Sequence, residues 1–165
     1  MKQAIIVLYS YSGNTKQLAE ILIKQLENYY EVDVISVEAL DEPDSFFKQA
    51  ARALFRKKAQ IKEENINFDL SGYDLVAFGT PVWAFGPAPA MRTYLTRCTG
   101  IRDKTVLFFA TYGSGAGKDK CIEQMRSLLK KQAPGKTESL LVQQFELKNE
   151  DRIIKKVNEV VKILK

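Results

Sequence analysis

The stretch Ile5-Ile6-Val7-Leu8-Tyr9-Ser10-Tyr11-Ser12-Gly13-Asn14-Thr15-Lys16-Gln17-Leu18-Ala19 contains the reading that decides the fold. Its first third is an unbroken apolar run, short and rich in β-branched residues, which reads as a strand covered on both faces. Its last third opens a helical pattern in which Leu18, Ile21, Leu22 and Leu26 share one face of residues 15–28. Between the two lies a small polar loop. Ser10, Tyr11, Ser12, Gly13, Asn14 and Thr15 gather three aliphatic hydroxyls, a glycine and the N–H groups of a helix start, which is the donor set a phosphate dianion needs. No Lys or Arg lies inside the loop, so dipoles and hydroxyl donors would meet the charge. The same residue types are also ordinary turn formers and N-caps, a reading that needs no ligand.

Outward from this unit the pattern repeats. Apolar runs at residues 4–9, 32–37, 75–78, 106–110 and 140–145 are each followed by an amphipathic stretch, the alternation of βαβ units around a parallel sheet. Helices are expected over residues 15–28, 44–58, 89–98, 118–132 and 151–164, with Pro89 tolerated in the first turn of its helix. Residues 59–72 form the only long connection, and Ile61, Ile66 and Phe68 would pin it to the body as a surface excursion. No repeat, low-complexity tract or Gly/Ser linker divides the chain, so residues 1–165 read as one domain. A domain of that length buries about 70% of the surface of its unfolded chain.

Composition removes several chemistries. There is no His, which excludes Ser-His-Asp and Cys-His nucleophiles. Cys98 and Cys121 stand in separate helical segments and form neither a CxxC motif nor a zinc site, so they read as buried small apolar residues. The apolar run at residues 4–9 is too short for a signal h-region or a membrane span, from which a cytoplasmic location is expected. A net charge of +5 suits acidic partners or phosphate-bearing ligands, but it is spread along the chain without the aromatic-interleaved stripe of a nucleic-acid binder.

In an open parallel sheet, ligands bind beyond the carboxyl ends of the strands, so the loops after the third and fourth apolar runs matter as well. After the third come Gly79, Thr80, Pro81, Val82, Trp83, Ala84, Phe85, Gly86 and Pro87, which place the only Trp and a Phe in a Pro-stiffened segment where a planar heterocycle can stack. The competing reading makes Trp83 and Phe85 a cap on the core. After the fourth come Thr111, Tyr112, Gly113, Ser114, Gly115, Ala116 and Gly117, whose glycines let backbone approach a ligand, or merely make the loop flexible.

Together the three loops resemble those of the flavodoxin family, and the resemblance covers the whole chain. Ser10, Gly13, Thr15 and Ala19 stand at the spacing of that family's FMN phosphate motif, with Leu8 where an aromatic is more usual. The resemblance implies an α/β fold with a single doubly wound five-stranded parallel sheet, order 2-1-3-4-5, and helices on both faces. It implies FMN as cofactor, with Ser10, Ser12, Asn14 and Thr15 at the phosphate and Thr80–Gly86 and Thr111–Gly117 bordering the ring. The implied function is electron transfer through non-covalently bound flavin with a redox partner protein. The alternative is an NAD(P)H-dependent FMN or quinone reductase that hands electrons to a small acceptor, and a flavin-less interaction module is a second alternative. Two departures favour the reductase: the charge is +5 where flavodoxins are usually acidic, and Ala116 falls where a ring-stacking Tyr is common. Tyr112 would replace that Tyr only if the loop folds back.

Other folds of similar shape fail at named residues. A response regulator needs acidic residues where Tyr9-Ser10 stand and an Asp where Thr80-Pro81 stand, and a dinucleotide fold needs GxGxxG where there is one Gly. The string Gly113-Ser114-Gly115-Ala116-Gly117-Lys118 imitates a P-loop, but Tyr112 replaces its first Gly and Asp119 its Ser/Thr. Arg52, Arg56, Lys57 and Lys58, beside Phe46, Phe47 and Phe55, read either as a docking patch or as the solvated side of a sheet-covering helix.

Overall fold

The computed structural model describes residues 1–40, 59–64 and 66–165. In chain order the elements are β1 (Lys2–Leu8), α1 (Asn14–Leu26), β2 (Tyr30–Ser36), β3 (Leu75–Trp83), β4 (Gly86–Pro87), α2 (Pro89–Arg97), β5 (Thr105–Tyr112), α3 (Lys118–Leu129), β6 (Thr137–Gln143) and α4 (Glu150–Leu164). The parallel strands pair in the order β2-β1-β3-β5-β6, and β4 is a two-residue antiparallel partner of the end of β3. With β4 left out of the numbering this is the order 2-1-3-4-5. The helix expected at residues 44–58, and with it the basic patch from Arg52 to Lys58, lies outside the described residues.

Alternate residues of a strand point to opposite sides, and β1 divides accordingly between two apolar clusters. Ile5 and Val7 pack with Met91, Tyr94 and Leu95 of α2 and Cys121, Ile122 and Met125 of α3. Ala4, Ile6 and Leu8 pack with Leu18, Leu22 and Leu26 of α1 and Ile153, Val157 and Val161 of α4. Burial pushes the thiols of Cys98 and Cys121 up to about 12, so neither ionises near neutral pH. Ile61 is buried and Ile66 and Phe68 are partly buried against the first cluster, with the Phe68 ring 5.2 Å from that of Tyr94. Among the described residues, no helix is long and apolar enough to cross a membrane.

Two strands run further than their apolar runs. β3 continues through Gly79, Thr80, Pro81 and Val82 to Trp83, and β5 continues through Thr111 to Tyr112, so the first five residues of one expected loop and the first two of the other are sheet. The ladder pairs Gly79 with Phe109, Thr80 with Ala110 and Pro81 with Thr111. Glycine and proline normally punctuate strands, so the local pattern hides the continuation of β3 beyond Phe78. Pro81 is tolerated because β1 pairs with β3 only as far as Gly79, leaving β3 a single parallel neighbour beyond it. β6 likewise begins earlier than residue 140 and ends at Gln143, and residues 144–148 form a 3₁₀ turn.

Gly79 is fixed by packing. A Cβ there would sit 2.0 Å from Cζ of Phe109, a ring with no solvent exposure. Gly79→Ala is expected to lower unfolding free energy by about 3 kcal/mol through overpacking, read as a fall in the urea midpoint at unchanged slope.

Candidate functional site

The three loops singled out from sequence meet at the carboxyl end of the sheet, and each pair of them is joined by a specific contact. The first and third are joined by Thr15 and Thr111, whose Oγ1 atoms lie 2.8 Å apart in a fully buried hydroxyl pair. The first and second are joined by Tyr11, whose ring meets Trp83 edge-on with centroids 5.6 Å apart. The second and third are joined by Phe85, which occupies the space a Gly117 side chain would fill, 2.0 Å from the Cβ position there.

The first loop is arranged for an anion. Helix α1 begins after Gly13, which is left-handed at φ 90° and has no side chain with which to cap the helix. That turn contains no carboxylate. Ser10 Oγ accepts from the Lys16 N–H at 3.2 Å and Asn14 Nδ2 donates to Ser12 Oγ at 3.1 Å, so hydroxyls and helix donors are drawn into one arc. A Cβ built on Gly13 would meet nothing within 4 Å, and Tyr11, Ser12 and Gly13 are exposed. A helix start with hydroxyls, open space and no acid fits a phosphate ester. In the Thr15–Thr111 pair one hydroxyl donates to the other, and the acceptor keeps its own hydrogen for a further partner.

The second loop is a hairpin. Trp83 pairs with Gly86 and Val82 with Pro87, leaving Ala84 and Phe85 as a two-residue turn. Both are left-handed, at φ 45° and 66°, the geometry of a type I′ turn that normally selects Asn and Gly. Thr80, fully buried, accepts the Ala88 N–H at 3.0 Å and so anchors the return of the chain. Trp83 is half-buried, held edge-on between Tyr11 and the buried Tyr9, and it also packs against the core. Phe85 is 46% exposed and does not cap the core.

The third loop bends back on itself. The Cβ position of Gly115 lies 3.6 Å from Cε2 of Tyr112, and the Lys118 ammonium sits 5.0 Å from the same ring. Gly113, Ser114 and Ala116 are exposed. Gly117, at φ 77°, starts α3, and its close approach is to Phe85.

Sequence reasoning missed the residues that hold these loops from behind. Gln143 Nε2 donates to the Gly113 carbonyl at 2.7 Å, and the Gln143 N–H donates to Glu146 at 3.0 Å. Glu146 is buried and receives Lys156 at 2.9 Å and Arg152 at 3.1 Å. Gln124 and Arg92 hold the hairpin in a similar way. Tyr9 alone had a local signal, as the last residue of an apolar run; the others depend on how helices pack.

The fold and its loops thus define a flavodoxin-like α/β protein with a hydroxyl-rich turn, free of acid, after its first strand. A family model described as NADPH-dependent FMN reductase matches residues 4–138, and the chain belongs to that family, which makes it an FMN-binding protein. No curated protein matches the chain. Among solved structures, a flavoprotein from Lactobacillus acidophilus NCFM in complex with FMN is similar, at 23% identity and TM-score 0.64, over 90% of this chain and 97% of that one. An NADH:FMN oxidoreductase in its apo form has 16% identity and TM-score 0.67, covering 99% and 88%. Oxidised flavodoxin 2 from Bacillus cereus has 17% identity and TM-score 0.64, covering 96% and 94%.

Two outcomes test this description. Ala84→Gly removes the penalty of one left-handed alanine and is expected to raise unfolding free energy by about 1 kcal/mol in thermal or urea melts. The Glu146 carboxyl is held below its ordinary 4.5, first by its hydrogen bond from Lys156 and further by the Gln143 N–H and the Arg152 charge. A depressed folded value means the stabilisation is complete above the unfolded value and lost as pH falls through the folded one. Urea midpoints of wild type and Glu146→Gln should therefore differ at neutral pH and converge below the ordinary carboxyl range.

Proposed function

We propose that this chain is an FMN-dependent reductase that takes electrons from NADPH and delivers them to a small acceptor such as a quinone. The observation that supports it most is the first turn of α1, free of carboxylate and started by a glycine, with the hydroxyls of Ser10 and Ser12 and the amide of Asn14 gathered around it. In this reading Ser10, Tyr11, Ser12, Gly13, Asn14 and Thr15 hold the phosphate through hydroxyls and backbone N–H groups. Thr80, Pro81, Val82, Trp83, Ala84, Phe85 and Gly86 border the ring on one side, and Thr111, Tyr112, Gly113, Ser114, Gly115 and Gly117 on the other. Bound FMN supplies reversible exchange of one or two electrons. The protein contributes binding, orientation and the exclusion of water by Trp83, Tyr11 and Phe85.

The net charge of +5 and the exposed, unstacked Ala116 support a reductase over a pure carrier. A basic protein attracts a dinucleotide with an additional phosphate, and an open loop leaves room for a second planar group. The cytoplasm is the compartment that fits NADPH chemistry.

The test is direct. Purified protein mixed with FMN is expected to show bound-flavin absorption bands and to oxidise NADPH without a second protein. Ser12→Ala, at an exposed position, should weaken FMN binding roughly tenfold, corresponding to the loss of a hydrogen bond to a charged group. Flavin binding without NADPH oxidation would point to a shuttle between protein partners, and failure to take up FMN would leave an interaction module.

A further inference from the structure

The hairpin between β3 and β4 adopts a conformation its sequence does not favour. Ala84 and Phe85 are consecutive left-handed residues, each with a Cβ that opposes that backbone, where Asn-Gly would pay nothing. Something outside the turn must hold it. Gln124 Nε2 on α3 donates to the Phe85 carbonyl at 2.9 Å, and Gln124 Oε1 accepts from Arg92 Nη2 on α2 at 2.7 Å. A guanidinium can only donate, so it draws the oxygen of the Gln124 amide to itself and leaves the NH₂ group aimed at the hairpin. Arg92 is 6% exposed, which strengthens a charge-assisted bond made with it. Gly86 makes the approach possible, because a Cβ there would lie 2.7 Å from Gln124 Oε1 and 2.9 Å from Arg92 Nη2. On its other side the turn is seated by the Phe85 ring over Gly117.

We infer that Gln124 is a positioning residue for the cofactor site: oriented by Arg92, its amide locks the Ala84-Phe85 turn in the left-handed backbone and so sets the gap between the second and third loops. This rests on the proposal that those two loops border the flavin ring. Phe85 remains 46% exposed in this position, so burial is a weak reason for holding it there. Strain that persists at a solvent-facing rim, opposed by a dedicated polar clasp, is the pattern of a preorganised binding wall.

Gln124→Glu separates the two bonds. The carboxylate still accepts from Arg92 but has no hydrogen to give the Phe85 carbonyl, whereas Gln124→Met removes both bonds at similar volume. Trp83, the only Trp, adjoins the turn and reports on it in protein free of FMN. Both variants are expected to raise acrylamide quenching of Trp83 and to weaken FMN binding by roughly three- to tenfold, the loss of one hydrogen bond. Adding Ala84→Gly, which makes the left-handed backbone intrinsically cheap at one of its two positions, should restore most of the affinity. Because Ala84→Gly also stabilises the fold, affinities are compared where urea melts show every variant fully folded, so that a change in global stability produces neither the loss nor the rescue. Unchanged quenching and affinity in both variants, or an affinity loss that Ala84→Gly does not repair, would overturn the inference. If wild-type protein binds no FMN, the functional reading fails; quenching in the variants still decides the clasp, a rise supporting it and no change overturning it.

Discussion

The bond between Thr15 and Thr111 is the constraint on which the rest of the site depends. Both hydroxyls are shut off from water, so separating them would leave buried polar groups without partners, a larger cost than the bond's own net contribution. The first turn of α1 is therefore held in register with the end of β5. The connection from Leu8 to Asn14 is short, and with both ends fixed it has little freedom except to turn its small polar residues outward. The start of α1 and the glycines after β5 are thereby held at the same end of the sheet.

Around that fixed pair the other loops are built with different mechanics. The third loop is held by a relay: Lys156 and Arg152 on α4 fix Glu146, Glu146 accepts the Gln143 N–H, and the Gln143 side chain donates to the Gly113 carbonyl. Each member of the relay is joined to the next by a hydrogen bond or ion pair, and no residue along it is left-handed. The second loop is held against its own preference, with two left-handed residues kept in place by Gln124 and by the Phe85–Gly117 contact. A relaxed loop and a stressed loop thus meet at the Phe85–Gly117 contact, and the stressed one carries the exposed aromatic.

The strand positions and the first loop were legible in sequence because they rest on local rules. A continuous apolar run with β-branched residues marks a buried parallel strand, and small polar residues before a helical pattern mark a helix start. The ends of β3 and β5 were not legible, since Gly79 and Pro81 break the local pattern while the ladder to Phe109 and Thr111 continues. Gly79 is explained by a ring on the neighbouring strand, and Gly117 by a ring on another loop. The polar supports are further out of reach. Arg92 and Gln124 belong to different helices, and only the packing of α2 against α3 brings guanidinium, amide and hairpin carbonyl into line. Sequence periodicity identifies which face of a helix is apolar; it does not say which polar residue at the margin of that face meets which loop.

The charge arrangement follows from the same scaffold. Glu146, the buried carboxylate nearest the third loop, is neutralised by two cations from α4. The first turn of α1 has no acid, and Asp119 in the first turn of α3 is flanked by Lys118 and Lys120. The positive ends of both helix dipoles therefore act on the loops with little opposing negative charge. Negative charge is accommodated more easily in such surroundings than in an acidic rim, whether it arrives as a phosphate group or as an electron added to a bound cofactor. A low negative charge that would suit an anion at the turn after β1 would equally suit the reduced state of a bound flavin, and among the described residues both follow from the acid-free first turn of α1 and the pairing of Glu146 with Lys156 and Arg152.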